Sequence, residues 1–438
     1  MIPRPSWKSF LGGHEGPDAR THGRRDSVLS WGILALWSLY HVMHQWGHWA
    51  DDLAAVYIAA RLWAAGQTAS IYTAPDGFFG GAPEAWRGIL AGIGAGRETA
   101  FPYIYPPLWA ALAAPLTKIL SAQTFVNAAA VVQISMLAVS IRLAGRIAAT
   151  AAPVWLWSLI CIFLLELTYP TVSALRLNQP SITVTFLILC AFYALSRGRS
   201  GWAGGFLALA TAIKLTPVVF VLLFVAERNW RAVGWYVGCG AGLAAASLLL
   251  CGGQTHLEFL TALAVAAQSA LLSAENISAR ALTELLAAIA GGGAPDLTQQ
   301  SVILKAPGAL RLLADFANLI AFVGMSLWLH LRSRHLASDH RRLLGLLSLS
   351  VCLFLFGPIG WQHYFVLPIL LLPGLGSVFS PARAIVTMLP AVAVESVFLL
   401  NAYLDHAWPT GVYVGIVVAG WLTTLILIGV HAKTAKLA

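Results

Sequence analysis

Apolar stretches long enough to cross the roughly 30 Å hydrocarbon core of a membrane recur along the chain from Ser27 onward. Continuous runs of this kind form helices rather than barrel strands, because a helix satisfies its own backbone groups in lipid. The pattern therefore predicts an all-α polytopic membrane protein with about 12 transmembrane helices. The predicted spans are 28–45, 104–120, 122–141, 152–169, 180–196, 202–226, 231–251, 308–331, 342–357, 363–379, 384–401 and 410–431.

Two longer polar regions, 48–101 and 252–307, interrupt these spans. In the first region, Leu53–Ala65 places its apolar residues on one face at helical spacing, which predicts an interfacial amphipathic helix. That face consists of Leu53, Val56, Tyr57, Ala60, Trp63 and Ala64. In the second region, His256–Ala290 predicts another amphipathic helix. Residues 202–226 form either one span or a pair broken around Lys214 and Pro217, since proline interrupts a helix.

Composition and charge fit a membrane protein. The chain is 58% hydrophobic and 10% charged, whereas a soluble protein carries about 25% charged residues. Its net charge of +9 comes largely from short basic loops, which the positive-inside rule places in the cytoplasm. This predicts a disordered cytoplasmic tail at 1–26, a single transmembrane domain at 27–432 and a second cytoplasmic tail at 433–438.

Two details of composition change this picture. Counting twelve spans leaves four basic residues outside, against the charge rule: Arg142, Arg146, Arg197 and Arg199. The sequence also has no basic strip with interleaved aromatic residues, so no nucleic-acid partner is expected. The five cysteines lie in or beside apolar runs, at spacings that indicate neither a disulfide framework nor a zinc site.

The adjacent carboxylates Asp51 and Asp52 stand just past the first apolar run, in a chain with 18 acidic residues. An ionisable group at such a membrane border is a functional candidate. The alternative is structural, because aspartate is a common helix N-cap and favours the first turn of a helix.

Other polar residues also interrupt apolar segments, where each is costly to keep. They are Tyr105 in the run Tyr103–Pro107, Arg176 with Asn178 and Gln179, Lys214 before Pro217, Asn276 with Arg280, and Trp361 with His363. Each has a structural alternative: a lysine can snorkel to an interface, amides can join helices, and aromatic residues can form an interfacial belt. Their predicted grouping near one membrane face favours a functional site.

The order of these motifs is familiar. Asp52-Leu53 begins the interfacial helix; Tyr105-Pro106-Pro107-Leu108, Asn178-Gln179, Lys214 with Pro217, Asn276-Ile277-Ser278 and Trp361-Gln362-His363 follow in turn. This arrangement resembles glycosyltransferase family 87 of the GT-C superfamily, the family of polyprenol-phosphate-mannose-dependent mannosyltransferases. The resemblance covers roughly residues 30–430.

The resemblance implies a GT-C fold with two large extracytoplasmic loops, in a multi-pass enzyme of the bacterial inner membrane. Such an enzyme takes a sugar from a polyprenyl-phosphate carrier and gives it to a lipid or glycolipid on the extracytoplasmic side. The family's proposed general base matches Asp52, with Asp51 as the near alternative, and its late histidine matches His363. Ile277 and Tyr364 depart from the family pattern, which leaves the sugar and the acceptor open.

The chemistry explains these residue types. Deprotonating an acceptor hydroxyl requires a positioned carboxylate, here Asp52, and a single displacement predicts inversion at the sugar C1. The departing phosphate requires cationic or hydrogen-bonding groups. Candidates for donor-phosphate and substrate binding are His363, Arg176, Arg280, Lys214, Asn178, Gln179, Asn276, Tyr105 and Trp361.

Two questions stay open in the sequence. Because no DxD-type motif is evident, we expect a metal-independent reaction with no cofactor, although Asp51, Asp52 and Asp76 could together bind a cation. The competing functional class is a transporter or flippase of a lipid-linked substrate, which would use buried polar groups as a pathway. Against that class stands the lack of internal repeat symmetry. A non-catalytic scaffold is a third alternative.

Overall fold

A computed structural model describes residues 17–435 except 76, 77, 80, 269, 298 and 407, and the side chains of 17–22 are also outside the description. Most of this range is helical. The helices are α1 (Pro17–Gln45), α2 (Asp51–Ala64), α3 (Arg87–Gly92), α4 (Pro107–Ala113), α5 (Ala122–Ile147), α6 (Val154–Leu167), α7 (Tyr169–Arg176), α8 (Ser181–Ser196), α9 (Ser200–Ile213), α10 (Val221–Ala226), α11 (Trp230–Gln268), α12 (Ala279–Ala290), α13 (Gly308–Ser333), α14 (Ser338–Phe356), α15 (Val366–Leu371), α16 (Leu375–Val378), α17 (Pro381–Val394), α18 (Val397–Asp405) and α19 (Thr410–Thr434).

Four helices are long and apolar enough to cross a membrane, namely α5, α11, α13 and α19. Helices α7 and α8 give a fifth if they are taken as one span bent by 117°. These counts rest on the described residues. Several shorter apolar helices account for other predicted spans, among them α6, α9 and α17. The chain is therefore a multi-pass helical membrane protein, with many of its apolar segments shorter or more broken than continuous hydropathy indicates.

The segment 104–120 does not form the predicted span. Helix α4 has seven residues, a length of about 10 Å, and Pro115 converts the following residues into a 3₁₀ turn at Ala114–Lys118. Without that span, α5 runs back along α1. The Arg142 guanidinium donates to Ser30 Oγ at 3.1 Å and to Ser27 Oγ at 3.2 Å, near the start of α1. Arg142 thus lies at the same end of the molecule as Arg24 and Arg25, which removes its conflict with the charge rule.

Residues 202–226 form a broken helix, one of the two predicted alternatives. Helix α9 ends at Ile213, and Lys214 is extended with φ −136° and ψ 137°. Pro217 then begins a new 3₁₀ turn, Thr216–Phe220, that leads into α10. The break turns the Lys214 side chain inward, toward Gln179, instead of along a lipid-facing helix surface.

The second polar region differs most from its prediction. Helix α11 continues through a kink at Gly252, whose φ of 72° and ψ of 161° suit glycine. His256–Ala290 is not one helix, because strand β1 (Ala270–Ser273) separates α11 from α12. Strand β1 pairs antiparallel with β2 (Ser301–Leu304). The helical class predicted for the chain holds, and this short hairpin is a local exception in which pairing overrides the weak strand preference of Ala270–Ser273.

The interfacial-helix prediction is confirmed as a helix, α2, but the predicted face is partly wrong. The buried residues include Ala54, Ala55, Ile58, Ala59 and Leu62, while two predicted face residues are half-buried and one is exposed (Val56, Trp63 and Ala64). Helix α2 packs against α4 and the following 3₁₀ turn. Protein packing rather than a membrane surface therefore determines much of its buried side.

The remaining expectations concern the chain's tail and its cysteines. Helix α1 already begins at Pro17, so the described part of the predicted 1–26 tail is helical. Residues 1–16 and 436–438 and the Asp76-Gly77 turn lie outside the described residues. All five cysteines have free thiols; four are buried and Cys239 is half-buried. They pack as small apolar residues, as their positions predicted.

Candidate active site

A cavity of about 330 Å³ lies where the start of α2, the α7–α8 bend, the break after α9 and the segment after α14 meet. The cavity lies near the C-terminal end of α1, which leads into α2. At this end Gly47 N donates to Asn127 Oδ1 at 3.1 Å, beside the start of α5. The wall contains most of the predicted site residues: Asp52, Tyr105, Arg176, Gln179, Lys214, Trp361 and His363. Four predicted residues are not in the wall: Asp51, Asn178, Asn276 and Arg280.

The Gln179 amide connects the catalytic candidates. Its Nε2 donates to Asp52 Oδ2 at 2.5 Å, and its Oε1 accepts from the Tyr105 hydroxyl at 3.0 Å and from Lys214 Nζ at 3.0 Å. The Lys214 ammonium also lies 4.7 Å from the centre of the Tyr364 ring, within cation–π range. Lys214 therefore points into the cavity and does not snorkel to an interface.

Asn178 and Gln179 are neighbours in sequence, but their side chains bond different parts of the protein. Asn178 has a φ of 46°, a left-handed conformation that asparagine tolerates better than most residues. Its Nδ2 donates to Val126 O at 2.9 Å, and its Oδ1 accepts from Gln133 Nε2 at 2.7 Å. Asn178 therefore fixes the bend between α7 and α8 against α5. These contacts are those of the helix-joining alternative, Asn178 does not line the cavity, and its substrate binding stays a prediction.

A second carboxylate, Glu275, lines the same cavity, and sequence reasoning missed it. It accepts from Arg176 Nη2 at 2.9 Å, from the Tyr169 hydroxyl at 2.5 Å and from the Ser173 hydroxyl at 2.8 Å. Arg176 keeps 57% of its side chain exposed, so the ion pair orients the guanidinium without burying it. The only available signal was that Glu275, a rare acidic residue, directly precedes Asn276.

His363 is buried in the cavity wall, with 3% of its surface exposed. It stacks on Trp361 with an interplanar angle of 18° and meets the Tyr364 ring edge-on at 4.8 Å between centres. Neither imidazole nitrogen has a hydrogen-bond partner within the part of the chain that the structure describes. Buried polar atoms are normally paired, so this unpaired imidazole is an unusual group in the cavity wall.

Asn276 holds the segment that carries Trp361 and His363, and it does not face the cavity. Its Nδ2 donates to Leu271 O at 2.6 Å, and its Oδ1 accepts from Gly360 N at 2.8 Å. A Cβ on Gly360 would collide with the carbonyls of Phe354 and Ile277. The close approach that allows Gly360 N to bond Asn276 therefore requires glycine at this position. Both ends of the Asn276 amide are engaged in positioning this segment, and its substrate binding stays a prediction.

Asp51 and Asp52 differ in what they face. Asp51 is half-buried outside the cavity wall, and its carbonyl accepts from Phe101 N at 3.2 Å, which fixes the start of α2. Burial raises the pKa of the Asp51 carboxyl. Burial likewise raises the pKa of the Asp52 carboxyl, while the Lys214 charge and the Gln179 hydrogen bond oppose that rise. A carboxylate in such surroundings is a stronger base than an exposed one.

Comparison with known proteins agrees with this geometry. The profile of glycosyltransferase family 87 matches residues 103–358, which is more than half of the chain. This protein belongs to glycosyltransferase family 87. The matched range includes Tyr105, Gln179, Lys214 and Glu275. It begins after Asp52 and ends before His363, whose roles therefore rest on the cavity.

A relative from Mycolicibacterium smegmatis is a polyprenol-phosphate-mannose-dependent alpha-(1-2)-phosphatidylinositol pentamannoside mannosyltransferase. It is 27% identical over 274 residues, which cover 60% of this chain. The match spans 58% of the relative's own length. Family membership favours a membrane glycosyltransferase over the transporter and scaffold alternatives.

Arg280 of this family 87 member does not line the first cavity, and its predicted binding of the donor phosphate stays a prediction. Its Nε donates to Asp315 Oδ1 at 2.6 Å, and its Nη1 donates to the carbonyls of Ala267 and Pro358 at 2.9 and 3.2 Å. These bonds occupy the guanidinium and tie α12 to α13 and to the segment after α14. Arg280 therefore supports the wall from behind.

Metal binding was left open by the sequence through Asp51, Asp52 and Asp76. Within 17–435, leaving out the gaps named above, no group of three or more histidine, cysteine, aspartate or glutamate side chains could hold a metal ion. Asp76 lies outside the described residues. The possible cation site therefore reduces, where it is described, to the pair Asp51 and Asp52.

Proposed function

We propose that this enzyme transfers a hexose, with mannose favoured, from a polyprenyl-phosphate carrier to a hydroxyl of a lipid or glycolipid. The observation that carries the proposal is the joint placement of Asp52, Lys214 and His363 in one cavity wall. A base, a cation and an unpaired imidazole are the groups that attack by a hydroxyl and departure of a phosphate require. The relative's dependence on polyprenol-phosphate-mannose supports this donor class.

In the proposed reaction, Asp52 takes the proton from the acceptor hydroxyl as its oxygen forms a bond to the sugar C1. The bond between C1 and the phosphate oxygen breaks, and its electron pair stays on the phosphate. Among the described residues, the hydrogen bond to the Asp52 carboxylate is made at Oδ2, which leaves Oδ1 for the acceptor hydroxyl. One displacement of this kind inverts C1, so a β-linked donor gives an α-linked product.

Three groups are suited to stabilise the departing phosphate. Lys214 contributes an ammonium at the cavity wall, and Arg176 contributes a guanidinium that Glu275 orients. His363 contributes an imidazole nitrogen with no protein partner among the described residues. Trp361 offers an aromatic face for the sugar. The Phe79 ring packs edge-on against it, with 5.5 Å between ring centres.

We propose that the cavity opens on the extracytoplasmic side of a bacterial inner membrane, within a GT-C arrangement. The opposite end of α1 carries Arg24 and Arg25, and the Arg142 end of α5 lies beside it. The positive-inside rule places such a basic end in the cytoplasm. Asp52 and its partners then face outward, where a lipid-linked sugar is available.

The test is sugar transfer from synthetic polyprenyl-phosphate-mannose by the purified full chain, with a membrane lipid extract as acceptor. Asp52→Asn should lower transfer by about 10²–10⁴-fold, the usual contribution of a general base. Asp51→Asn is the matched control, because Asp51 lies outside the wall, and it should retain transfer within a few-fold of wild type. Full activity of Asp52→Asn would remove Asp52 as the base.

The same assay tests two finer parts of the proposal. Chelation of divalent ions should leave transfer unchanged, because we propose that protein cations balance the phosphate charge. A loss restored by added Mg²⁺ would contradict metal independence. Other polyprenyl-phosphate hexoses, offered in parallel, test the preference for mannose, and nuclear magnetic resonance of the product's anomeric centre tests inversion.

A further inference from the structure

A second cavity of about 550 Å³ adjoins the catalytic cavity. It lies between the end of α11, α13, the end of α14 and the 3₁₀ turn that precedes α10. One half of its lining is apolar and consists of Val219, Ala264, Leu319, Phe322, Leu353 and Phe356. Leu319 leaves 55% of its surface exposed, on the apolar outer side of α13. The cavity is therefore positioned between the catalytic centre and surrounding lipid.

The polar half of the second cavity is balanced in charge. Arg280 lies 2.6 Å from Asp315 and 3.8 Å from Glu284. Arg311 lies 3.5 Å from Glu284 and 4.0 Å from Asp315. Arg280, Arg311 and Asp315 line the cavity, and Glu284 balances the second guanidinium from behind the lining. These ion pairs engage both guanidinium groups, and the apolar half of the lining remains for an apolar ligand.

The two cavities share part of their walls, at Ala267, Leu353 and Pro358. Thr216 lines the first cavity and Val219 lines the second, one turn farther along the same 3₁₀ segment. A molecule held at Lys214 can therefore extend along this segment into the apolar half. At about 330 Å³, the first cavity is near the lower limit for small-molecule sites. It suits a sugar phosphate without a long lipid chain.

We infer that the second cavity holds the isoprenoid chain of the donor, beginning at the carbons nearest the phosphate. This inference rests on the proposed function, because it assigns the apolar part of that donor. The small residues Ala264 and Ala267 leave space on the α11 side, and Phe322 and Phe356 supply apolar contact opposite. Contacts in the second cavity then determine which isoprenoid chain lengths the enzyme accepts. Contacts in the catalytic cavity determine which sugar it accepts.

The test fills the second cavity without touching the first. Ala264→Trp lies only in the second cavity, and Ala245→Trp is the matched control, because Ala245 is exposed on α11 and lines neither cavity. Transfer is compared for methyl phosphate-mannose, which has no isoprenoid carbons, and decaprenyl phosphate-mannose. Ala264→Trp should lower kcat/KM for the decaprenyl donor by about tenfold or more, since isoprenoid carbons lose apolar burial. The methyl donor and the control should change by less than about twofold.

Two results would overturn the inference. One is an equal loss for both donors, which would mean that the substitution acts on the catalytic cavity. The other is a raised KM for the acceptor with unchanged donor preference, which would assign the second cavity to the acceptor lipid. An Ala264→Trp protein that retains wild-type kinetics with every substrate would also contradict it.

Labelling of the wild type gives an answer that does not depend on turnover. Decaprenyl phosphate with a photoreactive diazirine in its first isoprene units should label the α13 peptide around Leu319 and Phe322. Unlabelled decaprenyl phosphate should compete, and methyl phosphate, which has no isoprenoid carbons, should compete poorly. Labelling confined to other surfaces would refute the inference. A wild type that transfers no hexose would refute the proposed function instead, and labelling would still decide what the cavity binds.

Discussion

Two polar clusters lie side by side in this apolar chain, and they differ in what their members leave unpaired. Around Gln179, the carboxylate of Asp52 and the ammonium of Lys214 point into an open cavity. Around Arg280, two arginines and two carboxylates pair with one another across α12 and α13. Both clusters are costly in a membrane protein. Charged groups that face an open cavity are available for chemistry, whereas charged groups that pair with one another stabilise the fold.

The largest expected effect concerns the stability of the paired cluster. Arg280→Leu leaves Asp315 without its closest partner and Glu284 with Arg311 alone. Breaking a buried ion pair costs about 3–5 kcal/mol, and because Asp315 is 38% exposed the loss should lie toward the lower end. We expect a clear fall in the free energy of unfolding, measured by thermal or denaturant unfolding in detergent. Arg87→Leu is the control, because its ion pair with Glu84 is exposed on both sides. Equal stability of the two variants would contradict the structural role of Arg280.

In the open cluster, substitution of His363 should lower activity and leave stability nearly unchanged. His363→Phe keeps the ring packing against Trp361 and Tyr364 and removes no hydrogen bond among the described residues. Stability should therefore change little, while kcat falls by about 10²–10³-fold if the imidazole stabilises the departing phosphate. Transfer kinetics and unfolding are measured on the same preparation. A stable variant with wild-type kcat would show that the imidazole does not contact the reacting group.

Asn276 should behave as an intermediate case, because it positions the open cluster through backbone bonds. Asn276→Leu leaves the Gly360 N–H and the Leu271 carbonyl without their partner, at a cost of about 1–3 kcal/mol. We expect a moderate loss of stability together with a lower kcat. Asn276→Asp keeps the acceptor for Gly360 and should recover part of both. If Asn276→Leu raised only KM, direct substrate binding would be the better explanation.

The smallest expected effect is a shift of the pH profile. Because Asp52 must be deprotonated to act, activity should fall as pH decreases through its raised pKa, above the range of an exposed carboxyl. The charge of Lys214 lowers that pKa, so Lys214→Met should move the acid limb of kcat/KM to higher pH. The position of the limb is independent of the lower overall rate. A limb that moved to lower pH would contradict this coupling.

The sequence predicted the parts of the fold that local chemistry determines. Helix α2 begins at its acidic pair, and the break at Lys214 follows from Pro217 three residues later. The span at 104–120 failed because hydropathy does not register the effect of Pro115 on helix geometry. The hairpin of β1 and β2 joins distant segments with little strand preference, so periodicity alone could not find it.

The sequence predicted which residue types the site contains, and the structure shows which way each side chain points. Asn178 and Gln179 look equivalent in sequence, and the left-handed backbone at Asn178 turns one amide toward α5 and the other toward Asp52. Arg280 and Arg176 both suit phosphate, but hydrogen bonds to carbonyls occupy Arg280. Glu275 belongs to no motif, and its importance depends on helix α7 bringing Tyr169, Ser173 and Arg176 beside it.

The position of Gln179 has a consequence for the resting enzyme. Asp52 and Lys214 each hydrogen-bond the Gln179 amide, and within the described structure no direct ion pair joins them. An amide does not ionise, so it fixes the distance between the two charges without accepting or supplying a proton. The two side chains therefore keep separate positions in the cavity wall. In the proposed reaction, one neutral amide holds the proton acceptor and the cation apart, one for each end of the single displacement.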